Sequence, residues 1–393
     1  MRESSIPEEV CKVLDKVVGQ TYGELHEPYF SKDEEDMLIE CLKSTFVSSV
    51  SPYTEKFEED IARFTGSKYV VAVSNGTSAL HSLLIACGIG PGMEVLTPSL
   101  TFVAAANAIS YTGAIPHFIE VEEKTLGIDT VKVIEYLSDK LIRSGEVFIN
   151  KETGRKVVAI VPLHTFGHPC DIDGVMKIAK EFNLLIIEDS AESLGSYFRQ
   201  KHTGTFGLGG ILSFNGNKII TTGGGGAVIT DDEELASRVK HLTRTAKIPH
   251  KWEYNHDLIG FNYRMPGLNS SLGLSQLRTI EKKIEAKRKL YQVYEKEFAN
   301  IEEVEIFKEP SSTTSNYWLQ TLLLKKDNVT LRNAILETSH KWGYKLRPAW
   351  TPMHRLLQFS NCPKMELNVT DSLFARIINL PSSPQIVLSR LDN

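Results

Sequence analysis

Tyr69-Val70-Val71-Ala72-Val73-Ser74-Asn75-Gly76-Thr77-Ser78-Ala79-Leu80 runs from a strand through a turn into a helix. The β-branched run stops at small polar residues, and a helical pattern begins at Ala79 and continues to Cys87. The unit recurs along the chain. Segments 94–96, 115–120, 156–162, 184–188, 210–214 and 226–230 read as strands, and 102–110 and 173–182 as helices. Short apolar strands alternating with helices predict an α/β fold with a mainly parallel sheet covered on both faces. Ligands in such folds bind beyond the carboxyl ends of the strands. The polar clusters at 74–77, 164, 189–192 and 213–218 fall there.

Outside this region the signals are simpler. Val10, Leu14, Val17 and Val18 predict a helix over 7–19, followed by an extended arm at 25–28. Asp33 opens a second helix over 33–43. Gln276, Leu277, Ile280, Ile284, Lys287 and Leu290 predict one long polar helix over 275–300, and strands follow in 302–325. The expected division is 1–32 as N-terminal helix and arm, 33–275 as a large α/β domain, and 276–393 as a linking helix and small α+β domain.

Composition narrows the function classes. Of 393 residues, 41% are apolar and 24% charged, and the net charge of -5 gives no basic surface for nucleic acid. Cys11, Cys41, Cys87, Cys170 and Cys362 are scattered and form no CxxC pair, which fits a reducing compartment. The opening Met-Arg-Glu-Ser-Ser leads into charged sequence with no signal-peptide core, and no apolar run nears the roughly 20 residues of a membrane span. A cytoplasmic protein without membrane partners is expected.

Three stretches carry chemistry. In 74–80 the free N–H groups of a helix start can hold a phosphate, with the Thr77 hydroxyl beside them; from this stretch alone an ordinary N-cap reads equally well. In Glu188-Asp189-Ser190-Ala191-Glu192 an acid ends a buried strand, where a carboxylate can keep a pyridine nitrogen protonated; a solvated strand end is the plainer alternative. In Ser213-Phe214-Asn215-Gly216-Asn217-Lys218 the lysine stands between apolar runs and ahead of Gly223 to Gly226, a setting that favours a nucleophilic amine. With the aromatic Phe102, this order supplies what is needed to hold and activate pyridoxal phosphate. His164, His168, Cys170, Asp171 and Asp173 lack zinc spacing, so no metal site is expected. The glycines between 204 and 210 lack the context of a nicotinamide site.

These motifs, with Thr101-Phe102-Val103-Ala104-Ala105-Ala106-Asn107-Ala108-Ile109 and Gly260-Phe261-Asn262-Tyr263-Arg264-Met265, resemble the DegT/DnrJ/EryC1/StrS family of sugar aminotransferases over about residues 26 to 382. The resemblance implies a type I pyridoxal-phosphate-dependent transferase fold. It implies Lys218 as the Schiff-base lysine and proton shuttle, and Asp189 as the partner of the pyridine nitrogen. Phe102 would stack on the ring, and Gly76, Thr77 and Ser213 would bind the phosphate. Asn262 would reach the phosphate of a neighbouring subunit, giving a homodimer with shared sites. Glu192 stands where the family often has Gln, near the ring hydroxyl. His164, Arg264, Trp350 and His354 are candidate substrate contacts. L-glutamate and a nucleotide-linked keto-sugar are the implied substrates. His26-Glu27-Pro28 and Phe46-Val47-Ser48-Ser49-Val50 resemble the subgroup that aminates C4 of UDP-2-acetamido-2,6-dideoxy-4-keto-hexoses in legionaminic-acid and bacillosamine-type polysaccharide pathways. Two other classes use the same motifs: a sugar dehydratase or lyase, in which some relatives replace the lysine by His, and a non-catalytic regulatory protein that only binds the cofactor.

Overall fold

The structure is a computed structural model that describes residues 5–19 and 23–391. The expected leader-free start at Met1 to Ser4 lies outside the described residues. The largest sheet runs in the order Tyr69–Val73, Gly226–Thr230, Gly209–Ser213, Leu185–Asp189, Lys156–Ile160, Met93–Pro98, Ile115–Ile119. The last five of these pair in parallel, while Gly226–Thr230 runs antiparallel to both its neighbours. Tyr69–Val73 therefore points the same way as the parallel set. The carboxyl ends of five strands meet at one edge, where residues 74–77, 99–102, 161–164, 190–192 and 214–218 follow. An antiparallel hairpin, Leu141–Ser144 with Val147–Asn150, extends the sheet beside Lys156–Ile160.

Apolar clusters fill both faces of this sheet. Val71, Leu80, Leu83, Ile109 and Val239 pack on one side, and Phe57, Ile61, Leu212, Phe214 and Leu274 on another. Val95, Val161, Ile187 and Ile211 are buried strand residues of this layered core, which explains the near-continuous apolar runs. A second sheet, ordered Val304–Ile306, Gln320–Leu324, Ile377–Leu380, Arg347–Pro348, is antiparallel. The N-terminal helix Ile6–Val17 packs into the same core as this sheet: Ile6, Val10 and Leu14 join Tyr294, Phe298, Leu322 and Leu380.

The long polar helix is two helices. Gly267–Arg278 and Ile280–Phe298 meet at Thr279, whose φ of -108° and ψ of 6° break the geometry. The first is buried nearly all round, so it shows no apolar stripe to read. Three further helices belong to the sheet's flanks: Pro52–Thr65, Thr130–Lys140 and Glu233–Thr243. Pro52–Thr65 has a Ser51 cap bonded to the Tyr53 N–H, Pro at its start and Gly66 in the left-handed region at its end. Among the described residues no helix is long and apolar enough to cross a membrane.

Phe57 ties this core to the strand end. It is fully buried and meets Phe214 edge to face, with ring centroids 5.2 Å apart. Phe57→Ala is expected to cost about 3–5 kcal/mol, read as a lower urea midpoint with an unchanged slope.

Candidate active site

The phosphate turn is built by a cap and by two missing side chains. The Asn75 side-chain oxygen accepts the Ser78 N–H at 2.8 Å and starts the helix Gly76–Ala86, three residues ahead of the expected start at Ala79. The N–H groups of Gly76 and Thr77 belong to the first turn and have no intrahelical acceptor. Gly226 lies on the neighbouring strand, where a Cβ would sit 2.5 Å from the Asn75 carbonyl carbon. A Cβ on Gly76 would press on Ser213 at 3.1 Å. Glycine at both positions brings the turn, the helix start and the Ser213 hydroxyl together.

Leu185–Asp189 delivers two acids with opposite fates. Glu188 is buried and accepts the N–H groups of Gly204, Phe206 and Gly207, at 2.7, 2.6 and 2.8 Å. His164 Nδ1 accepts the Cys170 N–H, so Nε2 carries the proton and donates to Glu188 at 3.1 Å. Burial opposes the Glu188 charge, yet the bond from His164 and those from the backbone hold it below the usual carboxylate range. Asp189 is also buried, but its carboxylate accepts only the Ala191 N–H, at 3.1 Å, among the described residues. Burial raises its pKa, and that backbone bond and the charge of Lys218 only partly offset the rise. It is an acid in need of a cationic partner.

The amine faces these acids. Lys218 Nζ lies 3.6 Å from the centre of the Trp318 ring and 3.4 Å from Glu192 Oε1. Trp318 is held in place by its Nε1 donating to the Asn217 carbonyl at 2.7 Å. Glu192 Oε2 accepts the Phe166 N–H at 2.9 Å, and Phe166 has a φ of 55°, an uncommon setting for a bulky residue. Burial pushes the Glu192 carboxyl up to about 7, against the pull of Lys218.

Gly76, Thr77, Phe102, Asp189, Glu192, Ser213, Lys218 and Trp350 all line one cavity of about 300 Å³. Phe102 caps the helix Val103–Tyr111 and is half exposed at the mouth, its ring centroid 6.5 Å from that of Trp350. Four other residues singled out in the sequence lie elsewhere. His164 is turned to Glu188 beneath the cavity floor. His354 Nδ1 is 2.8 Å from the Ser99 hydroxyl, and Nε2 is 3.4 Å from Asp371. Asn262 is exposed, bridged to Arg244 through the backbone. Arg264 borders a separate hollow of about 600 Å³ with Lys240, Arg244 and Lys247. Asn75 and Asn217, inside the quoted stretches, also line the cavity, as does Trp318, which carries no signal of its own in the sequence. Trp318 lies 100 residues beyond Lys218 in the chain, in the loop before Gln320–Leu324. Among the described residues no group of three or more His, Cys, Asp or Glu side chains could hold a metal ion.

A helix start for a phosphate, an under-bonded buried carboxylate for a ring nitrogen and an amine between them fit pyridoxal phosphate. The fold is the type I α/β fold of pyridoxal-phosphate-dependent aminotransferases.

Comparison with known proteins agrees. The family model described as the DegT/DnrJ/EryC1/StrS aminotransferase family matches residues 28–393, and the chain belongs to that family. It is 36% identical to a GDP-perosamine synthase of Escherichia coli O157:H7 over 93% of this chain and 94% of that protein. A GDP-perosamine synthase of Caulobacter vibrioides is 33% identical over the same shares. Among solved structures, Helicobacter pylori PseC, an aminotransferase involved in the biosynthesis of pseudoaminic acid, superposes with a TM-score of 0.83 at 25% identity. That match covers 93% of this chain and 97% of PseC. The enzyme is a nucleotide-sugar transaminase that uses pyridoxal phosphate.

Gly226→Ala forces the Asn75–Gly76 turn to move. Affinity for pyridoxal phosphate is expected to fall about tenfold or more, measured by titrating the visible absorbance of the bound cofactor, with far-ultraviolet dichroism unchanged.

Proposed function

We propose that the enzyme transfers the amino group of L-glutamate to the keto carbon of a nucleotide-linked hexose. The observation that carries this reading is Lys218: it is the only amine lining the cavity among the described residues, and it faces Asp189 and Glu192 there. Pyridoxal phosphate, when bound, supplies an electron sink for the carbon that gains or loses a proton.

The residues then have distinct tasks. The Gly76 and Thr77 N–H groups, with the Thr77 and Ser213 hydroxyls, receive the phosphate at the helix start. Asp189 would keep the ring nitrogen protonated, and that partner would relieve the burial cost of its own charge. Lys218 would hold the cofactor through Nζ, and its amine is the group placed to move a proton there. Trp318, whose ring centre lies 3.6 Å from Nζ, shields that amine from water. Phe102, at the cavity mouth, would cover the ring. His164 we assign to fixing the strand end through Glu188 rather than to the substrate.

Asn262 and Arg264 turn away from their own cavity, which supports a homodimer in which each copy completes the other's site. Residues 33–275 would form the cofactor-binding domain, and 276–393 the smaller domain that bears Trp318 and Trp350. The five cysteines are free, and we propose the cytoplasm as the compartment.

The sugar is the finer question. The N-terminal pattern favours C4 of a UDP-2-acetamido-2,6-dideoxy-4-keto-hexose, whereas the relatives above are named for GDP-perosamine. Their identity over nearly the whole chain outweighs the short N-terminal pattern, so we put a GDP-linked keto-hexose first and the UDP-linked sugar second, with C4 as the aminated carbon in both.

Both acceptors can be offered with L-glutamate and the aminated product followed by mass spectrometry. Lys218→Ala is expected to lose about 10³-fold or more in turnover, and Asp189→Asn about 10²-fold. Full turnover by Lys218→Ala sinks the reading. Amination of the UDP-linked sugar alone reverses the order of acceptors and leaves the rest standing.

A further inference from the structure

Glu192 makes a structural bond that does not need its charge. Its Oε2 accepts the Phe166 N–H at 2.9 Å, and the oxygen of a glutamine amide could accept the same bond. A buried carboxylate costs more than an amide unless the charge is used. The groups facing it are few. Lys218 Nζ is 3.4 Å from Oε1, and the Trp318 ring covers the far side of that amine. The Asp189 charge opposes that of Glu192. Behind Asp189 lies the His164–Glu188 pair, in which the neutral histidine donates. Lys218 is therefore the one cation pulling on Glu192 among these groups.

An ammonium group must shed a proton before its nitrogen can bond to a carbonyl carbon. We propose that Glu192 takes the proton Lys218 sheds when that amine is engaged by a carbonyl compound, and keeps it inside the cavity. This rests on Lys218 being the cofactor's anchor. In the transfer an N–H bond of Nζ breaks and an O–H bond on Glu192 forms. The pair's net charge is unchanged, and nothing is oxidised or reduced. Once the ammonium is gone, Glu192 has lost its attracting cation, so it holds the proton more tightly than before. Burial has already brought its carboxyl to about 7. Between that value and the higher one the carboxyl takes once the ammonium is gone, it is ionised before Lys218 is engaged and protonated afterwards. Below the lower value the carboxyl is protonated throughout, and the proton from Lys218 must leave for solvent. Glu192 is thus a proton store acting through Lys218.

The test counts protons, not turnover. Cofactor-free full-length protein is mixed with pyridoxal phosphate in weak buffer, and proton release is followed with an indicator dye, for wild type and Glu192→Gln. The glutamine keeps the Phe166 bond, and Glu192→Met serves as a second neutral variant of similar length. At about pH 8 the variants are expected to release about one proton per site more than wild type, and at about pH 6 that difference disappears. Equal release at about pH 8, with the visible band of the bound cofactor formed in both proteins, overturns the proposal while leaving the anchor in place. Absence of that band in wild type overturns the anchor role itself, and this proposal with it.

Discussion

An amine and two carboxylates share one small cavity at the carboxyl edge of the sheet. Their mutual charges are the constraint on which the rest of the site depends. Neither acid is comfortable ionised there: burial raises both Asp189 and Glu192, and the Asp189 charge adds to the rise of Glu192. Lys218 offsets part of that cost in the free protein. In the proposed function a ring nitrogen that bears a proton would offset more, because it would give Asp189 a partner of its own.

The fold maintains this tension by crowding strand ends. Tyr69–Val73, Leu185–Asp189 and Gly209–Ser213 all point to the same edge because Gly226–Thr230 runs antiparallel between the first and the last. Gly226 lets the Asn75 turn close over that antiparallel strand. Glu188, next to Asp189, has its charge absorbed by three N–H groups and His164. One strand end thus carries a satisfied acid facing inward and an unsatisfied one facing the cavity, in the alternation that successive strand residues impose. The C-terminal part of the chain adds Trp318 and Trp350, so the amine's apolar surroundings come from far along the sequence.

What was legible was local. The turn at 74–77, the acid at 189 and the lysine at 218 each announce themselves within a few residues, because a strand end and a glycine-rich loop leave compositional marks. The helix Pro52–Thr65 was equally open to reading through Ser51, Pro52 and Gly66, but its apolar positions are sparse. Most of Gly267–Arg278 lies ahead of the helix expected over 275–300, because burial on all sides erases its periodicity. Trp318 could not be read: nothing near it in the chain marks it, and only the three-dimensional return of the segment before Gln320–Leu324 sets its ring beneath Nζ. His164 illustrates the converse. Its place after a buried strand suggested a cavity residue, but the four-donor cradle around Glu188 draws it inward. The packing of Ile6–Val17 against Leu322 and Leu380 is likewise invisible in sequence, since an amphipathic helix does not name its partner.

The most direct test is to load the protein with pyridoxal phosphate, reduce it with borohydride, digest it and find the tagged lysine by mass spectrometry. The account predicts the tag on Lys218 alone. A tag on another lysine, or none, would contradict it.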